Sequence, residues 1–119
     1  MSTTGANPEA ADILRRARER IASPKRWAQC TFARTSYGEG WSVIRDPTAC
    51  LCINGALALE TMNMATTGGA SLSLSLVARS RGFETASKFN DAPGRTHAEI
   101  LAFMDEAIAL AESLAQPAS

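Results

Sequence analysis

At 119 residues the chain is sized for one domain, because splitting it in two would leave neither half enough apolar surface to bury. Hydrophobic residues make up 45% and charged residues 20%, a globular profile rather than a disordered or membrane-spanning one. Twelve basic and twelve acidic side chains cancel, which excludes a net field drawing the whole molecule to nucleic acid or an anionic surface and leaves only local patches to do so.

Met1 to Pro8 is small and polar, without a basic region followed by an apolar run, and reads as a flexible tail rather than a signal peptide or anchor. The most apolar stretch, Cys50 to Leu59, is interrupted by Asn54 and Gly55 and is too short for a bilayer. Three cysteines, an odd number without an export signal, fit reduced thiols in a cytoplasm better than a disulfide framework. A single helical domain over 9–115 is expected, with a short tail at 116–119.

Glu9 to Ile21 places Ala10, Ile13, Leu14, Ala17 and Ile21 on one stripe and predicts an amphipathic helix that stops near Ser23-Pro24. Lys25 to Arg45 is less regular, with Trp27, Phe32, Tyr37 and Trp41 scattered around a Gly38-Glu39-Gly40 turn. Either these aromatics fold a loop back onto the helices, the preferred reading, or Ala28–Ala33 and Trp41–Ile44 pair as a short β-hairpin. Asp46-Pro47 reads as an N-cap with proline at the first helical position, starting a buried second helix that runs to about Met62. Gly55 inside it costs about 1 kcal/mol relative to alanine and implies a close backbone neighbour.

After a break at Thr66-Thr67-Gly68-Gly69, Ser71 to Leu76 alternates serine and leucine as a strand would. The continuation through Arg79 and Arg81 to Gly82 carries a helix C-terminus instead, and a helix is the reading adopted. Thr85 to Phe89 predicts one further turn, and Asn90 to Arg95 a loop. Thr96 with Glu99 forms a capping box for a last helix with its stripe at Ile100, Leu101, Met104, Ala107, Ile108, Ala111 and Leu114. The sum is an all-α, predominantly helical bundle of four to five helices.

Chemistry-bearing residues are few. Cys30, Cys50, Cys52 and His97 are of zinc-ligating types, but on a helix positions 50 and 52 point roughly 200° apart, and buried structural cysteines are the favoured reading over a metal site. His97 is the only conventional base for a cysteine nucleophile, too little to define a catalytic site, and no cofactor is implied. Arg15, Arg16, Arg18, Arg20, Lys25 and Arg26 form a basic patch able to grip phosphates, or else a solvated helix face paired with Asp12 and Glu19. Asn90, Asp91 and Arg95, with His97, form the candidate binding loop. Its structural alternative has Asn90 or Asp91 bonded to its own turn and Arg95 paired with Asp91. Trp27 and Trp41 are expected to close the core edge.

The stretches Cys52-Ile-Asn-Gly55-Ala56-Leu57 and Phe89-Asn90-Asp91-Ala-Pro-Gly94-Arg95-Thr96-His-Ala-Glu99-Ile100-Leu101 resemble a bacterial and phage family of unknown function, domain of unknown function 6197. Its members share C-x-x-G-A-L and W-N-D-x-x-G-R-T-x-x-E-V-L motifs. Phe89 stands where the family more often has tryptophan, and the serine-rich stretch before Gly82 is longer. The resemblance covers most of Asp12 to Leu114 and implies a small stand-alone protein, frequently carried by phages or mobile elements, with no assigned activity. A non-catalytic protein-interaction or accessory module is expected, acting on an unknown protein or on itself as a homodimer. The alternatives are nucleic-acid binding through the arginine helix and a small ligand-binding protein or enzyme built on the Asn90–Thr96 loop.

Overall fold

In the computed structural model, which describes residues 8–62 and 68–115, five helices pack around one core and a small antiparallel sheet closes one side. The helix α1 (Pro8–Arg20) buries Ala10, Ala11, Ile13, Leu14 and Ala17, the side its apolar period selects, and packs on α2 (Ile53–Thr61) and α5 (His97–Ala115). Ile21 follows, fully buried, before the chain turns at Ser23-Pro24. Of the expected tails, residues 1–7 and 116–119 lie outside the described residues, as does Thr66-Thr67 of the expected break, while Pro8 is the first residue of α1 rather than tail.

The segment 25–45 is where the preferred reading fails. It contains a hairpin, not a bare loop, but not between the segments the alternative paired: β1 (Ala33–Thr35) pairs with β2 (Gly38–Glu39) across a two-residue turn, and Trp41–Val43, expected as the second strand, is a 3-10 turn. The sheet gains β3 (Cys50–Leu51) on the other side of β1, in the order β2-β1-β3, with Ala33 opposite Leu51 and Arg34 opposite Cys50.

That pairing also corrects the second helix. Asp46 does not open it: its carboxylate accepts from the amide and hydroxyl of Thr48, making a local turn. The ladder with β1 then holds residues 50–51 extended, and α2 begins only at Ile53, with Cys52 as its cap. Leu51, 2% exposed, gains its burial through this arrangement. Gly55 does have a close backbone neighbour, which is the strand side and not a helix: a Cβ there would stand 2.1 Å from the Phe32 carbonyl oxygen.

The serine-leucine run is helical, as α3 (Gly68–Ser80), and Gly68 and Gly69 belong to it rather than breaking the chain. It ends in a Schellman arrangement: the Phe83 amide donates to the Ala78 carbonyl, the Gly82 amide donates to that of Arg79, and Gly82 takes φ +89°. The short α4 (Ala86–Asn90) is capped by Thr85, and α5 by the reciprocal bonds of Thr96 and Glu99. The buried stripe of α5 is Ile100, Phe103, Met104, Ala107 and Ala111; Leu101 and Ile108 lie at its edge and Leu114 is 55% exposed, so the expected stripe is rotated toward Phe103. Phe103 stacks on Phe89 at 4.3 Å between centroids, and Phe83 meets Phe89 edge-on.

Candidate functional site

The Asn90–Thr96 segment is the first place to look, and its polar groups turn inward. Asn90 is the last residue of α4, not a loop residue, and is fully buried. Its Oδ1 accepts from the Trp27 indole Nε1 at 2.9 Å and the Ile53 amide at 3.2 Å. Its Nδ2 donates to the Ala28 carbonyl at 3.0 Å and to Asp91 Oδ1 at 2.8 Å, so all four side-chain bonding positions of the amide are used. Asn90 thus joins α4 to the start of α2 and to the segment before β1.

Asp91 and Arg95 do not pair with each other, contrary to the structural alternative. Asp91 Oδ1 also accepts from the Cys30 amide at 2.7 Å. Arg95 is 12% exposed along its side chain: Nε donates to the Phe89 carbonyl at 2.8 Å, the guanidinium lies 3.7 Å from the centroid of the Phe89 ring, and Nη1 is 3.3 Å from Glu99. Hydrogen bonds from Thr96, the amide first, hold the Glu99 carboxyl below the usual range, with Arg95 adding to the effect. His97 is half-buried. Its Nε2 lies 2.7 Å from the Ile21 carbonyl, which can only accept, so this nitrogen carries a proton and ties the end of α1 to the start of α5. The ring sits 6.0 Å from that of Trp27, itself packed at the core edge; the side chain of Trp41 lies outside what the structure describes.

The basic patch is likewise engaged within the chain. Arg15 pairs with Asp12 and Glu112, Arg18 with Asp105 at 2.7 Å, and Arg16 and Arg20 converge on Glu60 at 2.8 and 2.5 Å. Arg26 donates to the carbonyls of Ala49 and Pro47. Lys25 lies beside it in the turn Pro24–Arg26. Burial pushes the Glu60 carboxyl up, but its bonds to Arg16 and Arg20 outweigh that and leave it lowered. Glu60, which the sequence did not single out, therefore anchors α1 to α2.

The cysteines separate. Cys50 is in β3, so the helical angle between positions 50 and 52 does not apply; its thiol donates to the Lys25 carbonyl at 2.8 Å. Cys52 caps α2, its sulfur accepting from the Gly55 amide at 3.2 Å, and burial raises its thiol pKa. This explains the C-x-x-G spacing: the cysteine caps and the glycine admits the Phe32 carbonyl. No three His, Cys, Asp or Glu side chains gather into a metal site among the described residues.

One of the clefts on the surface, of about 250 Å³, is lined by Cys30, Thr31, Phe32, Cys52, Ser87 and Asp91, with thiol, hydroxyl and carboxylate groups on an aromatic wall. Gln29, also unforeseen, frames it by donating to the carbonyls of Asn90 and Ala92, both at 3.0 Å. Among the described residues no helix is long and apolar enough to cross a membrane.

No curated protein and no solved structure matches the chain. A family model does, over residues 5–110, and it spans both motifs whose residues build the Asn90 hub and the α2 cap. The chain belongs to that family, the family of unknown function DUF6197.

Proposed function

We propose that this chain is a non-catalytic protein-interaction or accessory module of bacterial or phage origin, working in the cytoplasm as a homodimer formed through α3. The observation that carries the reading is the outer face of that helix. From Gly68 to Ala78 it has no ionisable side chain, yet Leu72 is 51% and Leu76 39% exposed. Leu72 and Leu76 form one i, i+4 ridge, and Ser71 and Ser75 a shallow furrow beside it. A ridge of this kind fits the furrow of an identical helix running antiparallel. Two-fold pairing sets each surface against itself, so a charged face would meet like charge, and this one does not.

The candidate chemical groups support binding over catalysis. Asn90, Arg95 and His97 are committed to internal partners and Asp91 is half committed, so these four residues do not converge as an acid and base on one reacting atom. The nucleic-acid reading draws less support, because Arg15, Arg16, Arg18 and Arg20 are all offset by carboxylates.

Light scattering on a dilution series tests the proposal. The unaltered chain is expected to have a dimer mass that falls to monomer on dilution. Leu72→Glu with Leu76→Glu should be monomeric at every concentration, with unchanged far-ultraviolet circular dichroism. A strict monomer at millimolar concentration, or a dimer indifferent to both changes, sinks the reading.

A further inference from the structure

Two of the three cysteines occupy positions that disfavour cysteine, and both open onto the same cleft. Cys30 is the only non-glycine residue with positive φ among the described residues, at 64°, a left-handed conformation that asparagine, aspartate or glycine takes more readily. It is exposed. Cys52 holds the N-cap of α2, where serine, aspartate or asparagine would accept the Gly55 amide far better than a thiol does. A residue less suited to its place than the common alternatives points to a role beyond folding, and strained backbone gathers at such sites.

The backbone brings the two residues to one cleft. The Cys52 amide donates to the Phe32 carbonyl, two residues from Cys30. Asp91 bonds the Cys30 amide, and its charge also reaches the Cys52 thiol. Cys30 and Cys52 both line that cleft of about 250 Å³. Cys50 is turned away to the Lys25 carbonyl.

We propose that Cys30 and Cys52 are a peroxide-reactive pair that closes into a reversible intramolecular disulfide. The exposed Cys30 thiolate attacks one oxygen of a hydroperoxide; the O–O bond breaks and the departing oxygen leaves as water or an alcohol after taking a proton. Cys30 is then a sulfenic acid. The Cys52 sulfur attacks Cys30 Sγ, the S–O bond breaks, and the hydroxide leaves as water with the Cys52 proton. Two thiols have lost two hydrogens and the peroxide has been reduced. Burial raises the Cys52 pKa, so the exposed Cys30 rather than Cys52 is the thiol that meets the peroxide. A transient disulfide is the form such bonds take in a reducing cytoplasm. Closing the bridge draws the Cys52 sulfur from the Gly55 amide and so opens the cap of α2.

The test treats the purified full chain with equimolar hydrogen peroxide, blocks remaining thiols and maps peptides by mass spectrometry. One bridge joining Cys30 to Cys52 is expected, with Cys50 still alkylated, and dithiothreitol should restore all three thiols. Cys50→Ser should form the same bridge. Cys52→Ser keeps a helix cap and should fold, losing Cys30 thiol at an unchanged rate but accumulating sulfenic and then sulfinic acid instead of a bridge. A bridge through Cys50, a bridge only between two chains, or Cys30 oxidation with Cys52 still free in the unaltered protein overturns the proposal. So does an oxidation product that is the same in Cys52→Ser.

Discussion

Around Asn90 polar atoms lie inside the protein and each has a partner, whereas along α3 a buried hydroxyl has none and two leucines face outward. Ser73 is fully buried, and its Oγ makes no hydrogen bond. Leu72 and Leu76, one residue to its N-terminal side and three to its C-terminal side, are exposed large hydrophobics. The α4–α5 junction thus has the arrangement that maximises stability, and α3 has one that forgoes some of it. The contrast teaches that the family's long motif belongs to the fold, while exposed apolar surface lies in the serine-rich helix, where this chain departs from the motif's surroundings.

Three substitutions separate these regions by size of effect. Asn90→Ala should be the most damaging, because it strands the Trp27 indole, the Ile53 amide and the Ala28 carbonyl. A loss of about 3–5 kcal/mol is expected in urea unfolding; a loss below 1 kcal/mol would mean that the hub is no more structural than α3. Glu60→Gln, which weakens the tie from α1 to α2, should cost about 1–2 kcal/mol at neutral pH. Its sign with pH is fixed by the lowered folded-state pKa: the carboxylate contributes fully above its unfolded value, about 4.3, and loses that contribution as pH falls through the folded value. The unaltered chain and Glu60→Gln should therefore converge in thermal stability on acidification, and parallel curves would remove the ion pair from the account. Ser73→Ala has the smallest effect and the opposite sign. It should stabilise by about 1 kcal/mol, since it deletes a buried hydroxyl without a partner. A destabilised variant would show that the hydroxyl is satisfied in solution.

Legibility followed the reach of the interactions. The Thr96–Glu99 box was readable because both bonds close within four residues. The end of α3 was readable for the same reason, from its basic last turn and Gly82. Asp46-Pro47 misled because an Asx turn and a helix cap begin with the same residue types, and what decides between them is β1, in a different part of the chain. The stripe of α5 was placed slightly off because Phe103 is drawn in by Phe89, a partner that helical period alone does not reveal. Of the candidate site, Asn90, Asp91 and Arg95 were visible as a group but not their direction, since their partners at 27, 28, 30 and 53 had no local signature. Cys52 and Gly55 were visible as a motif; that Cys52 and Cys30 line one cleft was not.

The bonds of Asn90 also bear on how the chain comes apart. They reach back 37 residues to Ile53, 62 to Ala28 and 63 to Trp27, so one amide spans just over half the sequence. No fraying of a terminus and no opening of a single loop releases all of them at once. Amide hydrogens around the hub are placed to exchange only through the cooperative opening of the whole domain, which makes this side chain a lock between the two halves of the chain.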